Sequence, residues 1–308
     1  MKKKFKRFAA AVCAGLLFTA MTNSSVGAKQ AAPLMRLPLT TDELQRELED
    51  KASFNGHTFA SAAVGVFQGD EVLYSEYFGE TDIENHIPAD ENSVYEWGSI
   101  SKTLIWVSAM QLWEQGRLDL DRDVREYLPD GFFRHLSYDE PITMMNLMNH
   151  NAGWQETTQP IWKTDENAIL PLGEELQAIE PAQINRPGEV AAYSNYGAAV
   201  AGYVIECVTG QDYCEYVHEN IFEPLGMEHT ALNPTHSDNA WVQERRKSMK
   251  SYRFSMGNCI DLGNCLDYIP AYPAGAATGT LDDLMTYAQA LVNDDAPLFQ
   301  DPETQAVI

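Results

Sequence analysis

A ten-residue apolar run, Leu104-Ile-Trp-Val-Ser-Ala-Met-Gln-Leu-Trp113, constrains the fold of this chain more than any other feature. The run is too apolar for a surface helix, so we expect a buried helix that ends near Gly116. A buried helix needs other elements packed around it, and a chain of 308 residues is long enough to build a large core.

The residues just before that run carry a serine and a lysine three positions apart, Ser99 and Lys102. Residues three apart lie on the same face of a helix, so the lysine amine can reach the serine hydroxyl. A serine becomes a nucleophile when a neighbouring base or positive charge eases loss of its proton. The backbone N–H of Ser99, at a helix start, also favours developing negative charge. The pair predicts an acyl-transfer site, while a solvated helix start capped by Ser99 is the alternative.

Residues 1–28 have the layout of a secretory signal peptide. A basic segment at 1–7 precedes an apolar segment at 8–21, and Val26-Gly27-Ala28 is a small-residue cleavage site. The apolar segment is shorter than the roughly 20 residues that a membrane-spanning helix needs. We therefore expect an exported protein in which residues 29–308 form the mature domain.

The charge of the chain excludes some classes of partner. The full chain has 45 acidic and 21 basic residues and a net charge of −24, and residues 1–28 contain five basic and no acidic residues. A surface this acidic repels nucleic acids and anionic lipids. We expect neither as a partner.

Four cysteines follow the predicted cleavage site, at positions 207, 214, 259 and 265. In an oxidising compartment Cys259 and Cys265 can close a small loop as a disulfide, or both can stay free. Cys207 and Cys214 are two helical turns apart on a predicted helix, which is too far for a disulfide. None of these spacings is typical of a zinc site.

The order of predicted elements indicates the fold class. Thr40-Thr-Asp-Glu43 resembles a capping box and opens a helix through about Lys51. Residues 58–67 and 71–78 are β-rich and flank a turn, which predicts a hairpin. A mostly helical middle is expected from about 118 to 230. We therefore predict an α/β (α+β) sandwich, an antiparallel sheet flanked by helices with an inserted helical lobe.

A second group of polar residues stands at Tyr193-Ser194-Asn195. A tyrosine phenol can exchange a proton with a serine when a nearby ammonium lowers its pKa. An asparagine amide can hold a lysine and donate to a substrate carbonyl. By spacing alone, a loop tyrosine beside a turn asparagine is the favoured explanation of the tripeptide.

Together these motifs resemble the serine β-lactamase and penicillin-binding-protein superfamily, in its class C-like branch. Six phrases typical of that branch occur in family order: Trp97-Gly-Ser-Ile-Ser-Lys-Thr103, Gln115-Gly-Arg-Leu-Asp-Leu-Asp121, Ile142-Thr to Leu147-Met-Asn-His-Asn-Ala-Gly153, Pro187-Gly to Tyr193-Ser-Asn195, Ile221-Phe-Glu-Pro-Leu-Gly-Met227 and Pro273-Ala-Gly275. The resemblance covers most of the mature chain and implies a β-lactamase-like sandwich.

The resemblance also implies roles for four residues. Ser99 would be the acyl-enzyme nucleophile and Lys102 its proton partner. Tyr193 would be the general base in acylation and would activate water in deacylation, and Asn195 would bind the substrate amide. The substrate would be a β-lactam, a D-amino acid peptide or an ester, and neither a metal nor an organic cofactor is implied.

Three further residues have alternative interpretations. His150 precedes Asn151-Ala-Gly153 and could serve as a base. In the family pattern this histidine stands in a structural loop, which is the role we expect. Trp97 and Trp154 could line a pocket, but a tryptophan beside a buried helix usually belongs to the core.

The sequence departs from the family pattern in its third motif. No K-T-G or H-x-G occurs in the 308 residues, and Ala276 replaces the second glycine expected after Gly275. We therefore hypothesise a truncated product or partial gene model, whose remaining sheet strands would follow Ile308 and whose complete form could carry a C-terminal membrane anchor. The alternatives to an active hydrolase are a non-catalytic binding or sensor domain and an inactive fragment without a stable fold.

Overall fold

The first strands of the chain form a hairpin. The computed structural model describes residue 40 and residues 42–46, 59–156, 162–255, 258–264, 267–293 and 296–307. Strand β1 (Ser61–Gln68) pairs antiparallel with β2 (Glu71–Asp82). The turn contains Gly69 at φ +57°, a conformation that glycine adopts without strain. The short strand β3 (Ile87–Pro88) pairs with the far end of β2. The predicted hairpin is confirmed.

A second sheet is built from three strands of two residues each. Strand β8 (Thr278–Gly279) lies between β4 (Tyr95–Glu96) and β5 (Thr230–Ala231), and both pairings are antiparallel. The backbone N–H of Trp97 continues the β4–β8 pairing by donating to the Ala277 carbonyl at 2.8 Å. Because Gly98 follows directly, this sheet fixes the position of the segment that carries Ser99. A separate two-stranded hairpin joins β6 (252–255) to β7 (258–261).

The apolar run forms helix α1 (Lys102–Glu114), as predicted. The helix is followed by Gly116 at φ +68°, the left-handed conformation typical of a helix end. Buried side chains occur all around it: Lys102, Leu104, Ile105, Val107, Ser108, Ala109, Met110, Gln111 and Leu112. Helix α1 is therefore the central helix of the core.

The middle of the chain contains less helix than predicted. Between residues 118 and 194, the α-helices among the described residues are α2 (Met144–Met148) and α3 (Leu172–Ala178). The other described residues of this stretch form turns, short 3₁₀ helices such as Val124–Glu126 and Glu166–Ala168, and isolated β-bridges such as the one between Trp154 and Gln183. Prolines divide this stretch because they lack the N–H donor that a helix interior requires. The prediction of a mostly helical region is therefore wrong for its first half.

Helix α4 (Asn195–Thr209) packs against α1 inside the core. Its start is capped by the Ser194 side chain, which accepts a hydrogen bond from the Gly197 N–H at 2.9 Å. Its first turns carry small buried residues, Ala198, Ala199 and Ala201 among them. Small side chains allow two helices to approach closely, so Asn195 comes near the start of α1.

The end of α4 corrects one expectation about the cysteines. Gly210, at φ +72°, ends the helix before the next one, α5 (Tyr213–Val217), begins. Cys207 and Cys214 therefore lie on different helices, and both thiols are free. Cys259 is also free and exposed. The free Cys259 thiol contradicts the predicted Cys259–Cys265 disulfide; Cys265 itself lies outside the described residues.

The remaining helices follow in chain order: α6 (Glu223–Leu225), α7 (Ala240–Ser248), α8 (Leu281–Val292) and α9 (Pro302–Val307). Helix α8 packs on β1, where a side chain at Gly65 would overlap Met285. The rings of Trp97 and Tyr287 stack with centroids 6.2 Å apart, which joins α8 to the segment before Ser99.

Two predictions concern the N-terminal part of the chain. The capping box is confirmed, because the Thr40 N–H donates to the Glu43 carboxylate at 3.0 Å and the Glu43 N–H donates to Thr40 Oγ1 at 3.3 Å. The helix is described over 42–46, and its predicted continuation to Lys51 lies outside the described residues, as does the predicted signal peptide. Among the helices that the structure describes, none combines the length and the apolar character needed to cross a bilayer.

Candidate active site

Ser99 lies in a tight 3₁₀ turn, Gly98–Ser101, between strand β4 and helix α1. The prediction put Ser99 at the start of the helix, and the structure places it in the 3₁₀ turn that runs directly into α1. Gly98, at φ +53°, makes the sharp change of direction after the strand. The Ser101 hydroxyl accepts from the Ala277 N–H at 3.1 Å and ties the turn to the neighbouring strand. Ser99 is therefore carried on a rigid corner.

Lys102, the first residue of α1, is 4% exposed and donates three hydrogen bonds. Its Nζ lies 3.1 Å from Ser99 Oγ, 2.7 Å from Asn195 Oδ1 and 2.6 Å from the Ala274 carbonyl oxygen. Every donor position of the ammonium is thus occupied, which removes the rotational freedom of the lysine head group. The predicted contact between Lys102 and Ser99 is present.

The electrostatics of Lys102 follow from its burial. Burial lowers the pKa of Lys102 to about 8, and the negative charge of Glu156 raises that pKa in opposition. The three atoms that accept from Nζ are all uncharged oxygens, so the hydrogen bonds only partly replace the lost hydration. An amine of this kind is partly neutral near physiological pH, which lets it accept a proton as well as donate one.

Tyr193 contacts Ser99 from the solvent-exposed side of the site. Its hydroxyl donates to Ser99 Oγ at 2.7 Å, and Lys102 Nζ lies 4.9 Å from the centre of its ring. The side chain is 47% exposed, in agreement with a position at the mouth of a site. Sequence reasoning made proton exchange with Ser99 conditional on an ammonium that lowers the pKa of this phenol. In the structure the net shift is upward: burial raises the pKa of Tyr193, the Ser99 hydrogen bond lowers it, and the charge of Glu156 raises it.

Asn195 begins helix α4 and bridges two charged groups. Its Oδ1 accepts from Lys102, while its Nδ2 donates to the Glu156 carboxylate at 2.7 Å. The backbone N–H of Asn195 donates to the other oxygen of the same carboxylate at 2.8 Å. The structure therefore brings together all four predicted residues, and Asn195 connects them to a fifth.

Glu156 is the site residue that sequence reasoning missed. It lies on a loop, 39 residues before Asn195. It is part of none of the quoted motifs, although one of them ends nearby, at Gly153. The available sequence signal was its residue type. A carboxylate is a good acceptor for the unpaired N–H groups at a helix start, and Glu156 follows closely after a segment typical of the family. Nothing in its spacing pointed to Asn195.

The structural role expected for His150 agrees with its surroundings. Its Nδ1 accepts from the Ser194 N–H at 3.2 Å, and its ring lies 4.5 Å from the Tyr193 ring. Burial and the charge of Lys102 lower its pKa, which favours the neutral imidazole. His150 therefore supports the backbone and ring of the segment that presents Tyr193. Trp97 and Trp154 are 6% and 1% exposed, so the expectation that both belong to the core is confirmed.

The turn Tyr272–Ala274 forms the wall beside Lys102. Its Ala274 carbonyl is the shortest of the three lysine contacts. Ala276, where a glycine was expected, is 7% exposed and donates its N–H to the Tyr272 carbonyl at 3.0 Å. The alanine is thus accommodated in the turn. In the part of the chain that the structure describes, no cluster of three or more histidine, cysteine or acidic side chains is arranged to hold a metal ion.

Comparison with known sequences places this geometry among related proteins. The sequence profile of the family described as Beta-lactamase matches residues 42–306. Protein flp of Staphylococcus aureus strain N315 is 26% identical over 187 residues, which cover 59% of this chain and 36% of flp. The match thus spans little more than a third of the length of that relative.

Solved structures with similar folds include the octameric penicillin-binding protein homologue from Pyrococcus abyssi. It has a TM-score of 0.70 and 22% identity, covering 87% of this chain and 59% of that chain. D-amino acid amidase from Ochrobactrum anthropi SV3 has a TM-score of 0.66 and 20% identity, covering 85% of this chain and 73% of the amidase. The predicted fold class, antiparallel sheets packed with helices in a β-lactamase-like arrangement, is confirmed.

Proposed function

This chain belongs to the beta-lactamase family, and we propose that it is a serine hydrolase whose reaction passes through an acyl-enzyme on Ser99. The observation that carries the proposal is a pair of hydrogen bonds to one oxygen. Ser99 Oγ lies 3.1 Å from Lys102 Nζ and 2.7 Å from the Tyr193 hydroxyl. A serine hydroxyl is a weak nucleophile until groups that can take its proton stand at this distance.

We assign the proton acceptor in acylation to Lys102. Burial lowers the pKa of Lys102 to about 8, so a substantial fraction of the amine is neutral near physiological pH. The upward pKa shift of Tyr193 keeps its phenol protonated, which suits a relay that passes a proton between Ser99 and a leaving group. This assignment differs from the family resemblance alone, which predicts Tyr193 as the general base.

The reaction then has two halves. In the first, Ser99 Oγ bonds to the substrate carbonyl carbon and its proton moves to Lys102. The carbon–nitrogen or carbon–oxygen bond of the substrate then breaks, the released nitrogen or oxygen takes the phenol proton of Tyr193, and the proton held by Lys102 passes to Tyr193. In the second, water attacks the acyl carbon and gives a proton to the same relay. The bond between the acyl carbon and Ser99 Oγ breaks, Ser99 Oγ takes up the relayed proton, and the carboxylic acid product leaves. Asn195 contributes the second hydrogen of its Nδ2 to the substrate amide or carbonyl.

We propose a small molecule or peptide with an amide, β-lactam or ester bond as the substrate. The fold shared with D-amino acid amidase supports an amide of a D-amino acid, and the fold shared with a penicillin-binding protein homologue supports a β-lactam. A nucleic acid partner is disfavoured by the net charge of −24. The reaction as written uses protein groups and water alone.

We also propose that the protein is exported. The support is the layout of residues 1–28, a basic segment, an apolar segment and a small-residue cleavage site. N-terminal sequencing of protein recovered from the extracytoplasmic fraction should begin at Lys29. Recovery of the whole protein in the cytoplasm with its first segment attached would contradict export.

Covalent labelling with a fluorescent penicillin tests the catalytic proposal. The wild-type chain is expected to retain the label after denaturation, and Ser99→Ala is expected to lose it. Ser137→Ala is the matched control, because Ser137 is an exposed serine away from the site. A panel of a cephalosporin, a D-Ala-D-Ala peptide and a p-nitrophenyl ester then identifies the preferred acyl donor.

Two outcomes of this experiment contradict an acyl-enzyme on Ser99. Reversible binding of penicillin without a covalent label would indicate a binding or sensor domain. Label that persists in Ser99→Ala would assign the nucleophile to another residue. Near-ultraviolet circular dichroism of both proteins establishes that the comparison is made between folded chains.

A further inference from the structure

Glu156 makes a two-pronged contact with the start of helix α4. One carboxylate oxygen accepts from the Asn195 backbone N–H at 2.8 Å, and the other accepts from the Asn195 side-chain Nδ2 at 2.7 Å. A carboxylate that receives two N–H groups of one residue fixes both the backbone and the side chain of that residue. The contact caps a helix and orients an active-site amide at the same time.

The chemistry of the neighbours determines which way the Asn195 amide points. Lys102 has only hydrogen atoms to donate, and the Glu156 carboxylate has only oxygens to accept with. The amide therefore turns its oxygen to Lys102, at 2.7 Å, and its nitrogen to Glu156. A flipped amide would place nitrogen against ammonium and oxygen against carboxylate. One Nδ2 hydrogen is used by Glu156, and the second is the one that a substrate can receive.

The same carboxylate influences every titratable group around Ser99. Its charge raises the pKa values of Lys102, Tyr193 and His150, although burial is the largest influence on each. A protonated His150 repels the Lys102 ammonium and so opposes the effect of Glu156 on the pKa of Lys102. The neutral ring of Tyr193 lies over the same ammonium. Glu156 is therefore the acidic group set against the buried lysine charge.

We propose that Glu156 is a positioning residue of this active site, whose carboxylate fixes the orientation of the Asn195 amide and supplies the negative charge that faces the Lys102 ammonium. The inference rests on the proposed acyl-enzyme function of Ser99. Glu156 is not one of the four predicted site residues. Its two effects, orientation of Asn195 and charge near Lys102, can be separated by different substitutions of Glu156.

Two variants divide those effects. Glu156→Gln removes the charge and replaces one accepting oxygen by an N–H₂ group, which opposes an Asn195 donor. Glu156→Asp keeps the charge and shortens the side chain by one methylene, so it withdraws the two acceptors from Asn195. Gln155→Ala is the matched control, since Gln155 is the exposed neighbour on the same loop.

The first measurement does not depend on activity. Titration of ¹³Cε-labelled lysine by nuclear magnetic resonance, with Lys102→Met to assign the signal, follows the protonation of Lys102. Glu156→Gln is expected to lower the midpoint by about one pH unit, because an opposing charge has gone. Gln155→Ala should leave it unchanged, and Glu156→Asp should leave it close to wild type. An unchanged midpoint in Glu156→Gln overturns the electrostatic part of the proposal.

The second measurement is the rate of covalent labelling as a function of pH. Both Glu156 variants are expected to lower the limiting rate by about tenfold or more, because each disturbs the Asn195 amide. Only Glu156→Gln should also move the inflection to lower pH. Wild-type rates in both variants overturn the positioning role. A slower rate caused by unfolding, which near-ultraviolet circular dichroism detects, would also overturn it, because Glu156 would then support the fold and not the orientation of Asn195.

The two measurements keep this inference apart from the proposed function. If wild-type protein takes no covalent label, the acyl-enzyme proposal fails. The lysine titration still decides whether Glu156 acts on Lys102. If wild-type protein is labelled but the Glu156 variants behave as wild type in both measurements, the acyl-enzyme proposal stands and the role of Glu156 is rejected.

Discussion

The Lys102 ammonium donates to the backbone carbonyl of Ala274 at 2.6 Å, a contact between residues 172 positions apart in the chain. It joins the start of helix α1 to the turn Tyr272–Ala274 and closes one side of the space around Ser99. Because the acceptor is a neutral carbonyl, the contact orients the lysine without neutralising it. The position of this turn therefore influences both the geometry and the protonation of the nucleophile's neighbour.

The stability of the protein is expected to depend on pH through Lys102. Its pKa is about 8 in the folded chain and 10.5 in an exposed reference state. Between these values the unfolded chain binds a proton that the folded chain does not, so the free energy of unfolding rises with pH. The burial penalty is complete below pH 8 and disappears above pH 10.5.

Lys102→Met isolates this effect, since methionine fills a similar volume without charge. Between pH 10.5 and pH 7 the stability of the variant relative to wild type should rise by about 3 kcal/mol, on top of a pH-independent cost for the three lost hydrogen bonds. Urea unfolding at several pH values measures it. Lys247→Met, at an exposed lysine of helix α7, is the control and should show no such trend. A difference that stays constant with pH would show that Lys102 is not the responsible group.

The same Lys102→Met variant is expected to lose acylation. Without the amine, Ser99 has no adjacent group of suitable pKa to take its proton, and general-base loss lowers rates by about a hundredfold to ten-thousandfold. The measurement is the labelling rate with fluorescent penicillin at a fixed pH. A variant whose stability relative to wild type rises towards neutral pH but that is no longer labelled would separate the catalytic role of the lysine from any structural role. Labelling at the wild-type rate would contradict the assignment.

Tyr193→Phe removes only the hydroxyl that donates to Ser99 Oγ at 2.7 Å. The ring keeps its contact with His150, so the fold should be unchanged. We expect both formation and release of the acyl-enzyme to slow by about a hundredfold, because the relay serves both half-reactions. Stopped-flow labelling and label release measure the two steps. Tyr138→Phe is the control, because the Tyr138 hydroxyl donates to the Ile184 carbonyl rather than to Ser99. Normal release in Tyr193→Phe would assign water activation elsewhere.

Much of the site could be predicted from the sequence, because local patterns carry it. Ser99 and Lys102 are three residues apart, and Tyr193 and Asn195 are two apart, so each pair is visible as a motif. The β1–β2 hairpin and helix α1 are also local, since alternating and apolar runs define them. The two pairs meet because helix α4 packs on helix α1. The family resemblance implied that the two pairs act in one site.

The rest depends on contacts that leave no local pattern. Glu156 meets Asn195 although the two are 39 residues apart in the chain, and Ala274 acts through its carbonyl, which every residue possesses. Strands β4, β5 and β8 have two residues each, too short to show alternation. The upward pKa shift of Tyr193 depends on burial, which the sequence motif does not reveal.

The close packing of Gly202 against Pro273 gives a prediction about the wall of the site. An added side-chain carbon at Gly202, in the middle of α4, would lie 2.7 Å from Pro273 Cβ and Cγ, closer than real contacts allow. Pro273 precedes Ala274, whose carbonyl receives the Lys102 hydrogen bond. Because the proline ring is rigid, relief of the overlap must shift the turn itself.

Gly202→Ala is therefore expected to lower the free energy of unfolding by about 1–3 kcal/mol, although alanine is the better helix former. It should also slow labelling, because the Ala274 carbonyl moves away from Lys102. Urea unfolding and the lysine titration measure the two effects in one protein. Gly116→Ala provides a contrast, since that glycine has φ +68° and open space around it, so its cost is conformational and the site should be unaffected. If Gly202→Ala were stabilising and labelled normally, the turn would have to be free to move without disturbing Lys102, and the contact between Lys102 and Ala274 could not be what holds the amine in place.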